Sequence, residues 1–163
     1  MAIPAYMKLT DDQNSEIAGG VQIAGREGTV EVLSFDHSVR IPTDPHSGAL
    51  TGTRKHESLK ILKKFDSASP YLYKACCTGQ TLKKVTISWY EINDSGSEME
   101  YFTHELEDVK VTSVSPIMHN VKDIDKERYP HLEEICLRYA TIKWIYKDGG
   151  LEYSDSWNEK ADA

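Results

Sequence analysis

One stretch, Ala68-Ser69-Pro70-Tyr71-Leu72-Tyr73-Lys74-Ala75-Cys76-Cys77-Thr78-Gly79, constrains the fold more than any other. It writes a short helix, with its start and its stop, into a chain whose other segments carry β patterning. Ser69 is suited to cap the first unpaired amides, and Pro70 suits the first helical position because it has no N–H to lose. Gly79 can take the left-handed conformation that ends a helix. The spacing predicts a helix over residues 70–78, with Leu72, Ala75 and Cys76 on the one face that must lie on a sheet.

The surrounding segments read as strands. Residues 5–9 form a short strand, and residues 11–20 a polar loop ending in glycine. Residues 29–41 alternate as one half-buried strand, with Leu33, Phe35, Val39 and Ile41 inward and Ser34, Asp36, Ser38 and Arg40 outward. Residues 42–52 hold two prolines and two glycines, making a connection longer than compact hairpins use. Extended character returns over residues 55–65. After the helix, residues 84–92 place Val85, Ile87 and Trp89 on one side, and Asn93-Asp94-Ser95-Gly96 turns the chain into residues 99–106, a hairpin. Residues 109–115 are a further strand and 116–132 a charged connection. Residues 135–146 read as one long strand, and the turn at Lys147-Asp148-Gly149-Gly150 leads to a last strand over 151–157. Many strands with one helix favour a barrel or a sandwich.

One strand departs from the usual polar outer face. Tyr139, Thr141 and Ile145 alternate with Ala140, Ile142, Trp144 and Tyr146, so both sides are apolar or aromatic. A second surface is needed to cover it, supplied by self-association, a loop or the helix.

At 163 residues the chain fits one domain, which at that size buries roughly 70% of the surface its unfolded form exposes. No metal or disulfide is needed. Three cysteines are an odd number, and two of them are adjacent, so Cys76, Cys77 and Cys136 read as reduced thiols. The charge of -7, from 19 Lys+Arg and 26 Asp+Glu, repels a phosphate backbone and argues against nucleic acid. Lys8, Asp11 and Asp12 come too early for a signal-peptide core, and no apolar run approaches a membrane span. The expectation is a protein made in the cytoplasm, with no cleaved export signal and no membrane insertion.

No motif supports catalysis. His37, His46, His56, His104, His119 and His131 are scattered, and His104-Glu105 lacks the second histidine of a zinc helix. Residues 48–55 only faintly resemble a phosphate loop, without Gly-Lys-Ser/Thr. Asp123, Asp125, Glu127 and Glu134 match part of a calcium-loop template, but Arg128 replaces the required glycine and Pro130 intrudes. There is no Gly-x-Ser-x-Gly elbow, and Cys76-Cys77 reads as small core filling. Glu98/Glu100 and Glu105/Glu107/Asp108 are most simply a solvated strand face. We therefore expect no enzyme, no cofactor and no metal.

The order of segments carries a resemblance. Ile3, Val32-Leu33-Ser34, the Ala-Ser-Pro to Ala-Cys-Cys-Thr-Gly helix, Leu106-Glu107-Asp108-Val109-Lys110-Val111 with Ser113-Val114-Ser115, and Ile142-Lys143-Trp144-Ile145-Tyr146 together resemble the haemolysin-coregulated protein (Hcp) family of the type VI secretion system. Ile41-Pro42-Thr43-Asp44, Leu50-Thr51-Gly52-Thr53-Arg54 and Ser154-Asp155-Ser156-Trp157-Asn158-Glu159 are similar to the subgroup of enteric Gram-negative bacteria.

The resemblance implies one Hcp-like tube domain over residues 1–163: a mainly β, partly closed antiparallel barrel of two sheets with one flanking helix, like phage tail-tube proteins. It implies homo-hexameric rings that stack into a hollow tube, with a spike, a contractile sheath and effector proteins as partners. Sheath contraction expels the tube, so the protein is cytoplasmic before firing and extracellular afterwards. The ring lumen carries small effectors. Asp36 stands where much of the family has a lumen-facing serine between aromatics, and six copies would form an acidic belt favouring basic cargo. The loop Thr43-Asp44-Pro45-His46-Ser47-Gly48-Ala49-Leu50 is implied to lie against a neighbouring subunit or ring. Ile142, Trp144 and Tyr146 are the candidates for the subunit interface. Some members of the family carry a toxin domain after the tube domain, and with the sequence stopping at Ala163 none is expected here. The competing expectations are a monomeric β-barrel that binds a small ligand and a hydrolase built on an acid pair. Both would remain compact monomers.

Overall fold

The computed structural model describes residues 3–157. In chain order the elements are β1 (Ala5–Thr10), β2 (Glu16–Ile17), β3 (Val30–Val32), β4 (Ser34–Asp36), β5 (Val39–Arg40), β6 (Lys55–His56), β7 (Leu59–Lys64), the helix α1 (Ser69–Thr78), β8 (Thr81–Ile92), β9 (Glu98–Ile117), β10 (Leu132–Arg138), β11 (Thr141–Tyr146) and β12 (Leu151–Ser156). Ten strands form one antiparallel sheet along the path β2-β1-β8-β9-β10-β7-β4, with β11 on β9, β12 on β11 and β3 on β1. The other sheet is the small ribbon β5-β6. This is the expected mainly β architecture with one helix.

The sheet curls because β3 pairs with β1 while β4, one residue later, pairs with β7. A single stretch of chain thereby joins the two ends of the path. Beyond Leu33 the closure opens into a cleft of 290 Å³ lined by residues such as Ile3, Pro4, Leu33, Phe35 and Trp89. The barrel is partly closed. Its interior is filled by Met7 and Leu9 of β1, Leu59 and Ile61 of β7, Leu82, Val85 and Ile87 of β8, Leu106 and Val109 of β9, and Ile135 and Leu137 of β10, all buried. Each such side chain contributes about 1.5–3 kcal/mol by leaving water.

The helix packs on β9 with Leu72 and Ala75 buried and Cys76 half-buried, the face expected from its spacing. Gly79 ends it at φ 71°. Its start differs from expectation. Ala68 is the N-cap and makes no side-chain cap, so Ser69 is already helical and Pro70 is second. A buried ion pair claims the Ser69 hydroxyl, which donates to Glu133 Oε1 at 2.6 Å and lies 3.1 Å from Lys63 Nζ. Asp66 serves the turn instead, its Oδ1 accepting the Ala68 N–H at 3.0 Å.

Three strand boundaries also differ. Residues 29–41 are not one strand but β3, β4 and β5, because the chain exchanges partners at Leu33. Val30 and Val32 face the core, whereas Leu33, Val39 and Ile41 are exposed, and of the expected inward set only Phe35 packs on the core. Residues 99–106 and 109–115 belong to the single strand β9, which continues through Asp108 at φ 51°. Asparagine and aspartate tolerate that left-handed region better than most residues. Residues 135–146 break at Tyr139-Ala140 into β10 and β11, where both the Ala140 N–H and the register partner Thr141 meet Glu107.

Candidate functional site

The loop 41–54 is an ordered arm on a two-stranded stalk. Val39 pairs with His56 and Arg40 with Lys55, so β5 and β6 carry the arm on a ribbon separate from the main sheet. At its tip Asp44 Oδ1 accepts the His46 N–H at 2.7 Å and the Ser47 N–H at 3.1 Å. Those two backbone donors hold the Asp44 carboxyl below its usual pKa. Asp44 N–H donates to Ala49 O at 2.8 Å, Thr43 bridges Leu50, and Gly48 turns the chain at φ 72°. Pro45 and Ser47 complete the turn, and Leu50 projects outward at 68% exposure.

A polar relay roots this stalk in the barrel. His37 Nε2 lies 2.8 Å from the Tyr139 hydroxyl, which lies 2.6 Å from His56 Nδ1. His56 Nε2 is 2.8 Å from Asp155 Oδ2, and Arg54 grips both oxygens of the same carboxylate at 2.5 and 2.8 Å. The ionised carboxylate can only accept, so His56 donates to it from Nε2; the Tyr139 hydroxyl then joins His56 Nδ1 to His37 Nε2, one donor and one acceptor at each contact. Hydrogen bonds from Arg54 are the main cause holding the Asp155 carboxyl below its usual pKa. Burial, reinforced by Asp155, pushes the Tyr139 hydroxyl far up, and burial beside His56 lowers His37. Trp157 leans on His56 with ring centres 5.4 Å apart, and Arg138 sits 4.8 Å over the indole. Sequence reasoning did not find this relay.

Asp36 is exposed on β4 and stands opposite Lys60 of β7. The row continues to Cys136 of β10 and Ser113 of β9, and the neighbouring row runs Ser34, Leu62, Glu134, Ser115. This outer face is polar, but Lys60 sets a positive charge directly across from Asp36. The acidity expected at this face is therefore partly offset.

The three interface candidates separate along β11. Ile142 is fully buried in the chain's own core, between Leu106 and Asp155 in the register, so its side chain meets no other surface. Trp144 is half-buried and stacks on Tyr153 of β12, with centroids 6.1 Å apart and planes 10° from parallel. Tyr146 is 41% exposed, beside Leu151 at 65% and Tyr153 at 63%. The core-facing side of the sheet thus runs out past the end of the core as an open aromatic patch. Leu151 and Tyr153 were missed, although their alternation with Glu152 and Ser154 was legible.

Among the described residues no three or more His, Cys, Asp or Glu side chains are placed to hold a metal. Asp123 caps a 3-10 turn over Ile124–Lys126, while Glu134 lies in β10. His104 accepts from Trp89 Nε1–H at 2.9 Å among Phe35, Phe102 and Trp89, and burial, then His37, lowers its pKa to about 4. Cys76, Cys77 and Cys136 are free thiols. No helix among the described residues is long and apolar enough to cross a membrane.

Comparison with known proteins agrees with this architecture over nearly the whole chain. Residues 6–146 match the family model described as type VI secretion system effector, Hcp. The "major exported protein" of Pseudomonas aeruginosa is 37% identical over 166 residues, covering 96% of each chain. The solved Hcp1 protein of the E. coli EAEC 042 pathovar, in a doubly substituted form, is 49% identical, with TM-score 0.87 over 96% of this chain and 99% of that one. That likeness is consistent with the enteric subgroup. The secreted protein Hcp3 of Pseudomonas aeruginosa is 31% identical, with TM-score 0.79 over 97% of this chain and 100% of that one. Asn158 and Glu159 of the final motif lie outside the described residues. With the family model matched over residues 6–146 and a relative 37% identical across 96% of both chains, the chain belongs to the Hcp family of the type VI secretion system.

Proposed function

We propose that this protein is the structural subunit of the secretion system's inner tube, forming six-membered rings that stack and leave the cell when the sheath contracts. The observation that carries the reading is the patch of Trp144, Tyr146, Leu151 and Tyr153, aromatic and apolar surface held open at the end of a filled core. A monomer rarely leaves such contiguous surface to water, and a ring covers it. The filled interior supports this reading over a ligand-binding barrel, which needs an internal cavity. The protein is not an enzyme.

The arm over residues 41–54 extends to a neighbouring subunit or ring, with Leu50 and Ile41 as its apolar contacts. Asp36 and its polar row face the lumen and touch effectors. The spike, the sheath and those effectors are its partners, and it is cytoplasmic before firing. Light scattering with negative-stain imaging tests the ring: annular particles of six protomers are expected, and a monomer persisting at high concentration overturns the proposal.

A further inference from the structure

The arm leaves the barrel on two strands, and each strand passes a histidine at the point of departure. His37 lies two residues before β5, and His56 ends β6. Glu57 N–H donates to Ser38 O at 3.0 Å and closes the ribbon between them. Among the described residues this ribbon forms no ladder with the main sheet, so side chains do much of the tying of its root to the barrel. Both histidines contact one hydroxyl, that of Tyr139, at the break between β10 and β11. Arg54 and His56 share the Asp155 carboxylate of β12, and Arg54 also donates to Ser156 O at 3.0 Å.

A neutral imidazole carries one N–H and an imidazolium two, which limits how many protons this root can hold. With His56 neutral, its N–H goes to Asp155, Tyr139 donates to His56 Nδ1, and His37 donates to the Tyr139 oxygen. With His56 charged, the hydroxyl reverses and donates to a neutral His37. The three contacts survive in both states, so one added proton breaks nothing. A second proton has no such arrangement. Both imidazoliums then aim an N–H at the same oxygen, the hydroxyl hydrogen loses its acceptor, and two like charges flank one atom beside a buried residue. The carboxylates that face the pair already have cations: Asp155 is gripped by Arg54, Glu57 pairs with Arg40 at 3.0 Å, and Asp36 stands opposite Lys60. Arg138, held over Trp157, adds positive charge beside His56, and His104 of β9 faces His37. Burial and then His56 hold His37 below its ordinary pKa, against the opposing pull of Asp36 and Glu57.

We propose that this cluster is a proton-operated clamp on the arm, holding the ribbon root to the barrel while His37 and His56 share at most one added proton and letting go when both are charged. A released root places both imidazoles in water, where histidine titrates near about 6.5. Below that pH it binds one proton more than the clamped root, so acid favours release about tenfold per pH unit. The clamp lies within one protomer and operates with or without rings. Its consequence for assembly rests on the ring reading: a freed arm no longer grips its neighbour, and stacks part on acidification.

Amide hydrogen exchange of the whole protein at pH 7.5 and 5.5 tests the clamp, with protection in residues 38–57 read against free peptide at the same pH. In the parent, protection of this segment should fall about tenfold between the two, while the amides of β8 stay protected and show that the barrel is folded. His37→Gln keeps a hydrogen-bonding nitrogen at similar reach but does not titrate, so its root should stay protected at pH 5.5 to within about threefold of its value at pH 7.5. Tyr139→Phe removes the shared hydroxyl and should expose the root at both pH values. Equal protection of the parent root at the two pH values, or a loss in His37→Gln matching the parent's, overturns the clamp and leaves the ring reading standing. A parent that stays monomeric yet loses root protection at pH 5.5 supports the clamp and overturns the ring reading. In negative stain, stacks that part at pH 5.5 in the parent but not in His37→Gln extend the clamp to the assembly, and stacks that respond alike overturn that consequence.

Discussion

Lys63→Met should destabilise the protein severely, and the reason lies at the root of the helix. The Lys63 ammonium is fully buried and meets Glu133 Oε1, Asp66 Oδ1 at 2.9 Å, Ser69 Oγ at 3.1 Å and Lys64 O at 2.9 Å. Glu133 is equally buried, and its Oε2 has no hydrogen-bond partner. Removing the ammonium leaves that carboxylate facing only the Ser69 hydroxyl. Stranding one partner of a buried pair costs about 3–5 kcal/mol. For a chain of this length each kcal/mol lowers the melting temperature by about 2–4 °C, so the drop should be roughly 6–20 °C.

Glu133→Leu alone should cost less, because Asp66 still faces Lys63. The double variant should recover at least about 2 kcal/mol relative to the sum of the singles, since an apolar pair of similar volume needs no compensation. Urea unfolding of all four proteins at pH 7 and one protomer concentration gives the cycle. A loss below about 1 kcal/mol for Lys63→Met, or additive singles, would refute the assignment of this pair as an enclosed, mutually dependent unit.

Three other outcomes are expected. His104 has its pKa lowered from 6.5 to about 4, so between those values the unfolded chain binds more protons and stability falls with acidification. A span of about 2.5 pH at about 1.36 kcal/mol per pH gives at most about 3 kcal/mol; equal pH slopes for the parent and His104→Gln in denaturant melts would contradict this. Deleting residues 43–50 removes the arm tip and should weaken ring stacking without changing the melting temperature by more than a few degrees, and undiminished tubes in negative stain would remove the arm's role. Asp36→Arg should leave rings intact and change which effectors co-purify; unchanged co-purification would end its assignment to cargo.

Short-range rules were legible in the sequence. The left-handed stop at Gly79, the Leu72/Ala75 face, the turn at Asn93-Asp94-Ser95-Gly96 and the inward set Val85, Ile87 and Trp89 all depend on residues within a few positions of one another. Backbone sterics and side-chain periodicity act over that range. The family resemblance and the aromatic character of β11 were legible for the same reason, as contiguous patterns.

Tertiary structure decided what depends on choosing a distant partner. Alternation over residues 29–41 could not say that Leu33 is where the chain trades β1 for β7, a change that turns Leu33 to solvent. Ser69 had every local qualification as a cap, yet the buried pair of Lys63 and Glu133, 70 residues apart, took its hydroxyl. His56 and Asp155 are 99 positions apart, and only folding reveals that they join a relay rather than a surface. Ile142 and Tyr146 lie on one strand face with like hydrophobicity, and the end of the core between them makes one a core residue and the other open surface. Local propensity sets what each segment can be; burial and long-range pairing select which neighbour it meets.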